Sequence, residues 1–144
     1  MQWSAAPNGG FTSPTVKPWM TVNPNYTRIN AEAAVKDPHS VYHFWGAVLG
    51  LRKKYLDVFV YGNYKLVDAG SEEIFAYSRQ YEGQKAVVVA NWTEGTLRWD
   101  AAAKGVVSKT VLLDTYEDVE TVGGRFAGET WELRPFEAVV VLVE

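Results

Sequence analysis

The chain has 144 residues, a formal net charge of −3 and no cysteine, and 47% of its residues are hydrophobic. This is the composition of a folded globular protein, and it excludes a disulfide framework, a thiolate metal site and a cysteine nucleophile. The acidic balance argues against nucleic acid as a partner. No apolar run approaches about 18 residues and no basic-then-apolar leader is visible, so we expect no membrane span and a cytoplasmic location.

Both the net charge and the pattern of residue types change near residue 57. Residues 1–57 carry a net charge of +3, whereas residues 58–144 carry −6. Loop-like and then helical patterns precede this point, and short β-branched runs separated by polar turns follow it. We therefore predict two parts, residues 1–57 and residues 58–144.

Residues 1–30 are predicted to be an ordered loop. Proline, glycine and asparagine recur there, and these residues favour turns. Large apolar side chains such as Trp3, Phe11 and Trp19 lie among them. Because structureless loops of this length are uncommon in compact domains, we expect the segment to lie against another body.

One strong helix is predicted over residues 37–56. Asp37 suits the N-cap and Pro38 the first helical position. Apolar residues recur downstream with the spacing of one helical face, among them Phe44, Trp45 and Val48. Gly46 and Gly50 lie four apart on a second face, so the helix is expected to have neighbours on two sides.

From residue 58 onward the pattern predicts eight short strands. The runs are Val58–Tyr61, Tyr64–Asp68, Glu73–Arg79, Lys85–Trp92, Thr96–Trp99, Thr110–Leu113, Glu129–Leu133 and Glu137–Val143. Glycine-containing turns, such as Glu82-Gly83, separate them. The predicted fold is therefore mainly β: an antiparallel β-sandwich with Greek-key connections, preceded by an irregular loop and one α-helix.

The residue pattern contains no catalytic or metal site. His39 and His43 are four apart on the predicted helix, but the glutamate of the helical metalloprotease motif is absent, so they are interpreted as surface histidines. Four acidic residues between two strands lack the calcium-loop pattern and are interpreted as a solvated turn. These residues are Asp114, Glu117, Asp118 and Glu120. No cofactor is expected.

Several short motifs occur in an order that is specific to one enzyme group. They are Met1-Gln2-Trp3-Ser4, Pro7-Asn8-Gly9-Gly10-Phe11, Lys17-Pro18-Trp19, Lys36-Asp37-Pro38-His39-Ser40-Val41, Ala90-Asn91-Trp92 and Leu133-Arg134-Pro135-Phe136-Glu137-Ala138. With them the chain resembles, over its whole length, the C-terminal segment of the maltase and oligo-1,6-glucosidase group of the α-amylase family, glycoside hydrolase family 13. The fungal α-glucosidases are the members that it resembles most.

The resemblance implies an enzyme with a (β/α)₈ barrel, an inserted domain and a C-terminal β-sandwich. Residues 1–36 would then end the loop after the eighth barrel strand, residues 37–56 would form the eighth helix, and residues 58–144 the sandwich. The catalytic carboxylates of the family precede the matched region, so no catalytic residue is carried over and the chain is expected to be inactive alone. Gln2 and Trp3 are carried over only as the rim of the sugar pocket. The implied partners are the N-terminal barrel and, in the complete enzyme, α-glucosides.

Two other functions stay open on the sequence. The sandwich could act as a free carbohydrate-binding module through Trp92, Trp99 or Trp131, provided that these rings are exposed on one face. The chain could also come from a non-enzymatic relative of the family, such as the heavy subunit of an amino-acid transporter.

Overall fold

A computed structural model describes residues 1–116 and 124–143 of the chain. The chain divides into two compact units, Met1–Val48 and Leu49–Glu144. Glu117, Asp118 and Glu120, three of the acidic residues interpreted as a solvated turn, lie outside the described residues. Gly123 also lies outside them; with Gly124 it forms a Gly-Gly pair, which predicts a further turn between strands. The division predicted at residue 57 stays a prediction.

The first unit consists mostly of turns. Two single-turn 3₁₀ helices, Pro7–Gly10 and Pro24–Thr27, precede a short helix α1, Ala31–Lys36. Asn30 caps α1, because its side chain accepts a hydrogen bond from the Ala33 amide at 2.9 Å and donates to the Tyr26 carbonyl at 2.8 Å. At six residues, α1 is too short to produce a periodic hydrophobic pattern, and the sequence did not predict it.

The predicted long helix is present as α2, Val41–Lys54. It begins four residues later than predicted, because Asp37 forms a turn in place of a cap. The Asp37 side chain accepts from the His39 amide at 3.0 Å, and its carbonyl accepts from the Ser40 amide at 3.1 Å. His39 thus precedes the helix, so the four-residue helical spacing inferred for His39 and His43 is wrong.

Seven strands lie in the described part of the second unit, and the antiparallel β-sandwich is confirmed. They are β1 (Asn63–Asp68), β2 (Ile74–Tyr81), β3 (Gln84–Asn91), β4 (Leu97–Asp100), β5 (Ser108–Asp114), β6 (Thr130–Leu133) and β7 (Ala138–Val143). One sheet has the order β1-β2-β3-β7-β5, and the other pairs β4 with β6. From β3 to β7 each successive strand changes sheet, which closes the two sheets over one core.

The first predicted strand, Val58–Tyr61, is wrong. Asp57–Tyr61 forms a π-helical turn, which we call the π turn. The Arg79 side chain on β2 donates to three of its carbonyls, those of Val58, Phe59 and Val60, at 3.1–3.4 Å. A four-residue apolar run has no period that distinguishes strand from helix, so the outcome depended on this long-range contact.

Two tryptophans from the smaller sheet fill the centre of the sandwich. Trp99 on β4 lies opposite Trp131 on β6, with ring centroids 5.3 Å apart, and both are buried. The Trp99 indole donates to the buried Asp68 carboxylate at 3.0 Å. Hydrogen bonds from Lys104 and from Trp99 lower the pKa of Asp68, so this carboxylate stays charged inside the edge of the core.

Gly62 joins the π turn to β1 in a space that admits no side chain. A Cβ at this position would overlap the Val58 carbonyl oxygen and lie 3.0 Å from the Gln80 carbonyl oxygen. We expect Gly62→Ala to lower the free energy of unfolding by roughly 1–3 kcal/mol, measured by urea denaturation. Gly70→Ala is the matched control, because nothing lies within 4 Å of a Cβ there. Equal effects of the two substitutions would contradict the prediction.

Candidate functional site

The segment that carries Gln2 and Trp3 is fixed by its backbone. The Gln2 carbonyl accepts from the Ala31 amide at 2.8 Å, and the Trp3 carbonyl accepts from the Glu32 amide at 3.0 Å. The Trp3 amide donates to the Gly9 carbonyl at 2.9 Å. The first residues of the chain are thereby held against the start of α1 and the turn at Gly9.

Gly9 is required at that turn for two reasons. Its φ of +63° lies in the left-handed region, where residues with a side chain are disfavoured. A Cβ there would also lie 3.2 Å from Val22 Cγ1 and 3.3 Å from Gln2 Cβ. The glycine therefore lets the turn pack directly against the side chain of Gln2.

A cavity of about 640 Å³ opens beside Gln2. Its wall is mostly apolar, and the lining residues are Met1, Gln2, Phe11, Thr12, Pro18, Trp19, Met20, Thr21, Val22 and Asn23. The Gln2 side-chain amide donates to Asn25 Oδ1 at 2.9 Å, which fixes its orientation. Trp3 is 63% exposed and is not part of this wall, so the structure separates the two predicted rim residues.

The lining of the cavity has groups suited to binding a small molecule, but it has no group for acid–base chemistry. Trp19 and Phe11 offer apolar faces, and Gln2 and Asn23 offer amide groups. None of the lining residues in the described part of the chain carries a carboxyl or imidazole group. Glycoside hydrolysis with retention needs two carboxyl groups about 5–5.5 Å apart across the bond, and the cavity has neither.

The carboxylates that the sandwich does bring together form a buried ionic cluster. Glu137 is fully buried, and Arg125 donates to its two oxygens at 2.6 and 3.0 Å. Arg134 adds its backbone amide and its guanidinium, at 2.7–3.0 Å. Asp114 is also buried and lies 3.7 Å from Arg134. The interpretation of Asp114 as part of a solvated turn is therefore wrong.

The two carboxyl groups of this cluster have shifted pKa values in opposite directions. Burial raises the pKa of Asp114 to about 6, and the neighbouring charge of Glu137 adds to the rise. Burial alone would raise the pKa of Glu137, but hydrogen bonds from Arg125 and Arg134 outweigh it and lower that pKa. Both carboxyl groups are buried within the sandwich, and Glu137 is held by two arginines, so we assign the cluster to the sandwich core.

The histidines and the helices provide no further candidate site in the described part of the chain. The His43 Nε2 lies 2.9 Å from the Val35 carbonyl oxygen. Within residues 1–116 and 124–143, no group of three or more histidine or acidic side chains could hold a metal ion. The described helices include none that is both long and apolar enough to cross a membrane.

The three tryptophans considered for carbohydrate binding do not share a surface. Trp99 and Trp131 are buried in the core, whereas Trp92 is 66% exposed. A binding platform needs at least two exposed rings on one face. Of these three tryptophans only Trp92 has an exposed ring, which argues against a free carbohydrate-binding module.

Comparison with known proteins identifies what kind of protein contains this arrangement. The model of the α-amylase catalytic domain matches residues 1–62. A probable oligo-1,6-glucosidase of Bacillus subtilis is 45% identical over 99% of the chain, and an α-glucosidase of Schizosaccharomyces pombe is 36% identical over 98%. In sequence the chain is similar to one segment of each of these glucosidases, and its fold is a β-sandwich preceded by a helix. The chain belongs to the α-amylase family, within its α-glucosidase and oligo-1,6-glucosidase group.

Solved structures agree with this placement. The isomaltulose synthase of Klebsiella sp. LX3 superposes with a TM-score of 0.86 at 28% identity, covering 99% of the chain. A sucrose complex of the enzyme MutB gives a TM-score of 0.86 at 29% identity. The chain spans only about 24% of the length of these proteins and of its curated relatives.

The raised pKa of Asp114 predicts how stability depends on pH. The pKa is about 6 in the folded state against 3.8 for the unperturbed group, so the folded chain binds this proton more tightly. The resulting stabilisation is complete below about pH 3.8 and is lost as the pH rises through 6. We expect it to be on the order of 1–3 kcal/mol, and Asp114→Asn should remove this pH dependence.

The measurement is urea denaturation of both proteins at several pH values between about 4 and 7. Glu132→Gln, which neutralises an exposed carboxylate on β6, is the control and should keep the wild-type slope. If the free energy of unfolding of Asp114→Asn depends on pH as steeply as that of the wild type, another group binds the proton.

Proposed function

We propose that this chain is the C-terminal part of an α-glucosidase that hydrolyses terminal α-glucosidic bonds of maltose- or isomaltose-type oligosaccharides with retention of configuration. The observation that supports this most is its similarity to α-glucosidases and oligo-1,6-glucosidases over 97–100% of its own length but only 23–24% of theirs. The chain itself is proposed to be inactive and to have a structural role.

The inactivity follows from the chemistry of the retaining reaction. A carboxylate must attack the anomeric carbon, while a second carboxyl group protonates the departing oxygen and later activates water. Glu137 is fully buried and holds two arginines, so it can neither reach a sugar nor give up its ion pairs without destabilising the fold. Both catalytic groups are therefore proposed to lie in the N-terminal part of the enzyme.

Gln2 is proposed to contribute to the wall of the sugar pocket. Its amide is oriented by the bond to Asn25, and it stands beside the apolar faces of Phe11 and Trp19. An amide can donate to one sugar hydroxyl and accept from another, whereas an aromatic face packs on the apolar face of the ring. Trp3, which lies outside the cavity wall, is proposed to contact the pocket from its outer rim.

The partner of the first unit is proposed to be the rest of the (β/α)₈ barrel. Trp19 is 94% exposed, and no residue of α2 is buried although Trp45, Val48 and Leu49 follow one another along it. A Cβ added at Gly46 or Gly50 would meet nothing within 4 Å. Exposed apolar side chains of this size, in the first unit and along α2, indicate surfaces that another body covers. The enzyme is further proposed to be cytoplasmic.

Activity measurements test the proposal with two proteins. The purified 144-residue chain should not hydrolyse p-nitrophenyl α-glucoside above the blank. A chimera in which the chain replaces the matching C-terminal quarter of the Bacillus subtilis relative should hydrolyse it. Turnover by the chain alone that survives rigorous purification would overturn the proposal, as would a folded chimera without activity when the intact relative is active.

Gln2 can be tested in the same chimera. We expect Gln2→Ala to raise KM by roughly 3- to 20-fold with a smaller change in kcat, because losing one hydrogen bond to substrate costs about 1 kcal/mol. Thr15→Ala, at an exposed position outside the cavity wall, is the control and should leave both constants unchanged. An unchanged KM in Gln2→Ala would remove this residue from the pocket.

A further inference from the structure

Two oxygen atoms of a neighbouring turn hold the side-chain amide of Gln2. Its Nε2 donates to Asn25 Oδ1 at 2.9 Å and, in a longer bond, to the Asn23 carbonyl oxygen at 3.4 Å. A primary amide nitrogen carries two N–H groups, so both of them are directed at this turn. The nitrogen end of the Gln2 amide is therefore occupied by the chain itself.

The backbone carbonyl of Asn23 decides which end of the Gln2 amide faces the turn. The two ends of a side-chain amide are alike in shape, so the groups around them determine the orientation. A backbone carbonyl can only accept, and the end of Gln2 that lies against it must be the N–H₂ group. In the reverse orientation Gln2 Oε1 would face the Asn23 carbonyl oxygen, and two acceptors would meet without a proton between them.

Asn25 offers its side-chain oxygen from a backbone that is fixed on both sides. It lies in the 3₁₀ helix Pro24–Thr27, and its amide donates to the side chain of the N-cap residue Asn23 at 3.1 Å. Its carbonyl accepts from the amides of Arg28 and Ile29, both at 2.9 Å. Asn25 is not among the residues that line the cavity. It is therefore a support behind Gln2 and not a part of the wall itself.

The remaining polar atom of the Gln2 side chain is Oε1. The root of the side chain is fixed, because the Gln2 carbonyl accepts from the Ala31 amide and its Cβ packs against the turn at Gly9. The tip is fixed by the two bonds of Nε2. No donor from residues 1–116 or 124–143 bonds to Oε1. Gln2 thus brings to the cavity wall one acceptor in a defined position.

We propose that Asn25 is a positioning residue, which holds Gln2 so that Gln2 acts toward the substrate only as a hydrogen-bond acceptor. This inference rests on the proposed function and narrows it, since an unrestrained amide donates as well as accepts. The substrate group that Gln2 recognises must then be a donor, which in a sugar is a hydroxyl group that directs its proton at Oε1. An amide already held by Asn25 loses little conformational freedom on binding, whereas a free glutamine side chain would have to be ordered by the substrate.

Kinetics of the Bacillus subtilis chimera test the positioning role. Asn25→Ala should raise KM by roughly 2- to 10-fold and change kcat by less than about 2-fold, because it removes the support of a group that binds substrate. In a Gln2→Ala background the same substitution should change KM by less than about 1.5-fold, because Asn25 acts only through Gln2. Asn25→Asp keeps an acceptor oxygen for the Gln2 amide and should hold KM within about 2-fold of the unsubstituted chimera. Equal effects of Asn25→Ala with and without Gln2 would overturn the positioning role.

Substrate analogues test the acceptor role. Maltose and isomaltose in which single hydroxyl groups are replaced by hydrogen or by fluorine compete with p-nitrophenyl α-glucoside in the chimera. Fluorine accepts weakly and cannot donate, so at one position both replacements should weaken binding by at least about 3-fold, and Gln2→Ala should abolish that loss.

Two outcomes of the analogue series would overturn the inference. In the first, fluorine binds as well as the hydroxyl group at the position that depends on Gln2, which would mean that Gln2 donates. In the second, no position of either sugar responds to Gln2→Ala.

Nuclear magnetic resonance of the isolated chain measures the support without any activity. The side-chain N–H₂ group of Gln2 should have an order parameter above about 0.7 in the unsubstituted chain and below about 0.5 in Asn25→Ala. Asn25→Asp should keep the high value, and so should the control Thr15→Ala. A mobile Gln2 amide in the unsubstituted chain, together with an active chimera, would overturn this inference and leave the proposed function standing. An inactive chimera with a rigid amide that depends on Asn25 would overturn the proposed function and leave the positioning standing.

Discussion

The buried carboxylate of Glu137 is the constraint on which the sandwich depends. A charge without water must be matched on all sides, and Arg125 and Arg134 provide that match with bonds of 2.6–3.0 Å. Its backbone carbonyl also accepts from the Asn91 amide at 2.8 Å, which ties the start of β7 to the end of β3. The hydrogen bonds of Glu137 therefore form only when three separate segments, at Asn91, at Arg125 and at Arg134, come together.

Asn91 extends the same constraint to the smaller sheet. Its side-chain amide donates to the carbonyls of Gly95, Leu133 and Arg134 at 2.7–3.3 Å, so the segments leaving β3 and β6 are joined through one residue. Trp99 and Trp131 then fill the space between the sheets. Polar contacts thus join the strands at one end of the sandwich, and Trp131 is among the largest fully buried side chains of the described residues.

Local patterns predicted the strands well, because their alternation and turn residues act over a few positions. The Glu82-Gly83 turn is an example, since Tyr81 pairs with Gln84 on either side of it. Features that depend on distant residues were missed: the π turn needs Arg79, and the burial of Asp114 needs β7 and Arg134. In the candidate site, the family motif pointed to Gln2, but the cavity wall depends on how the loop at Phe11 and Trp19 folds back, which no local pattern specifies.

The alternation of inward and outward residues in the two sheets has a consequence for how the sequence can evolve. Arg98 and Glu132 are exposed on the smaller sheet, so exchanges among polar residues there should be nearly free. Ala76, Val87 and Val139 on the larger sheet are completely buried, so a change of side-chain volume there would leave a cavity or overpack the core. Accepted substitutions should therefore be rarest at every second residue of a strand.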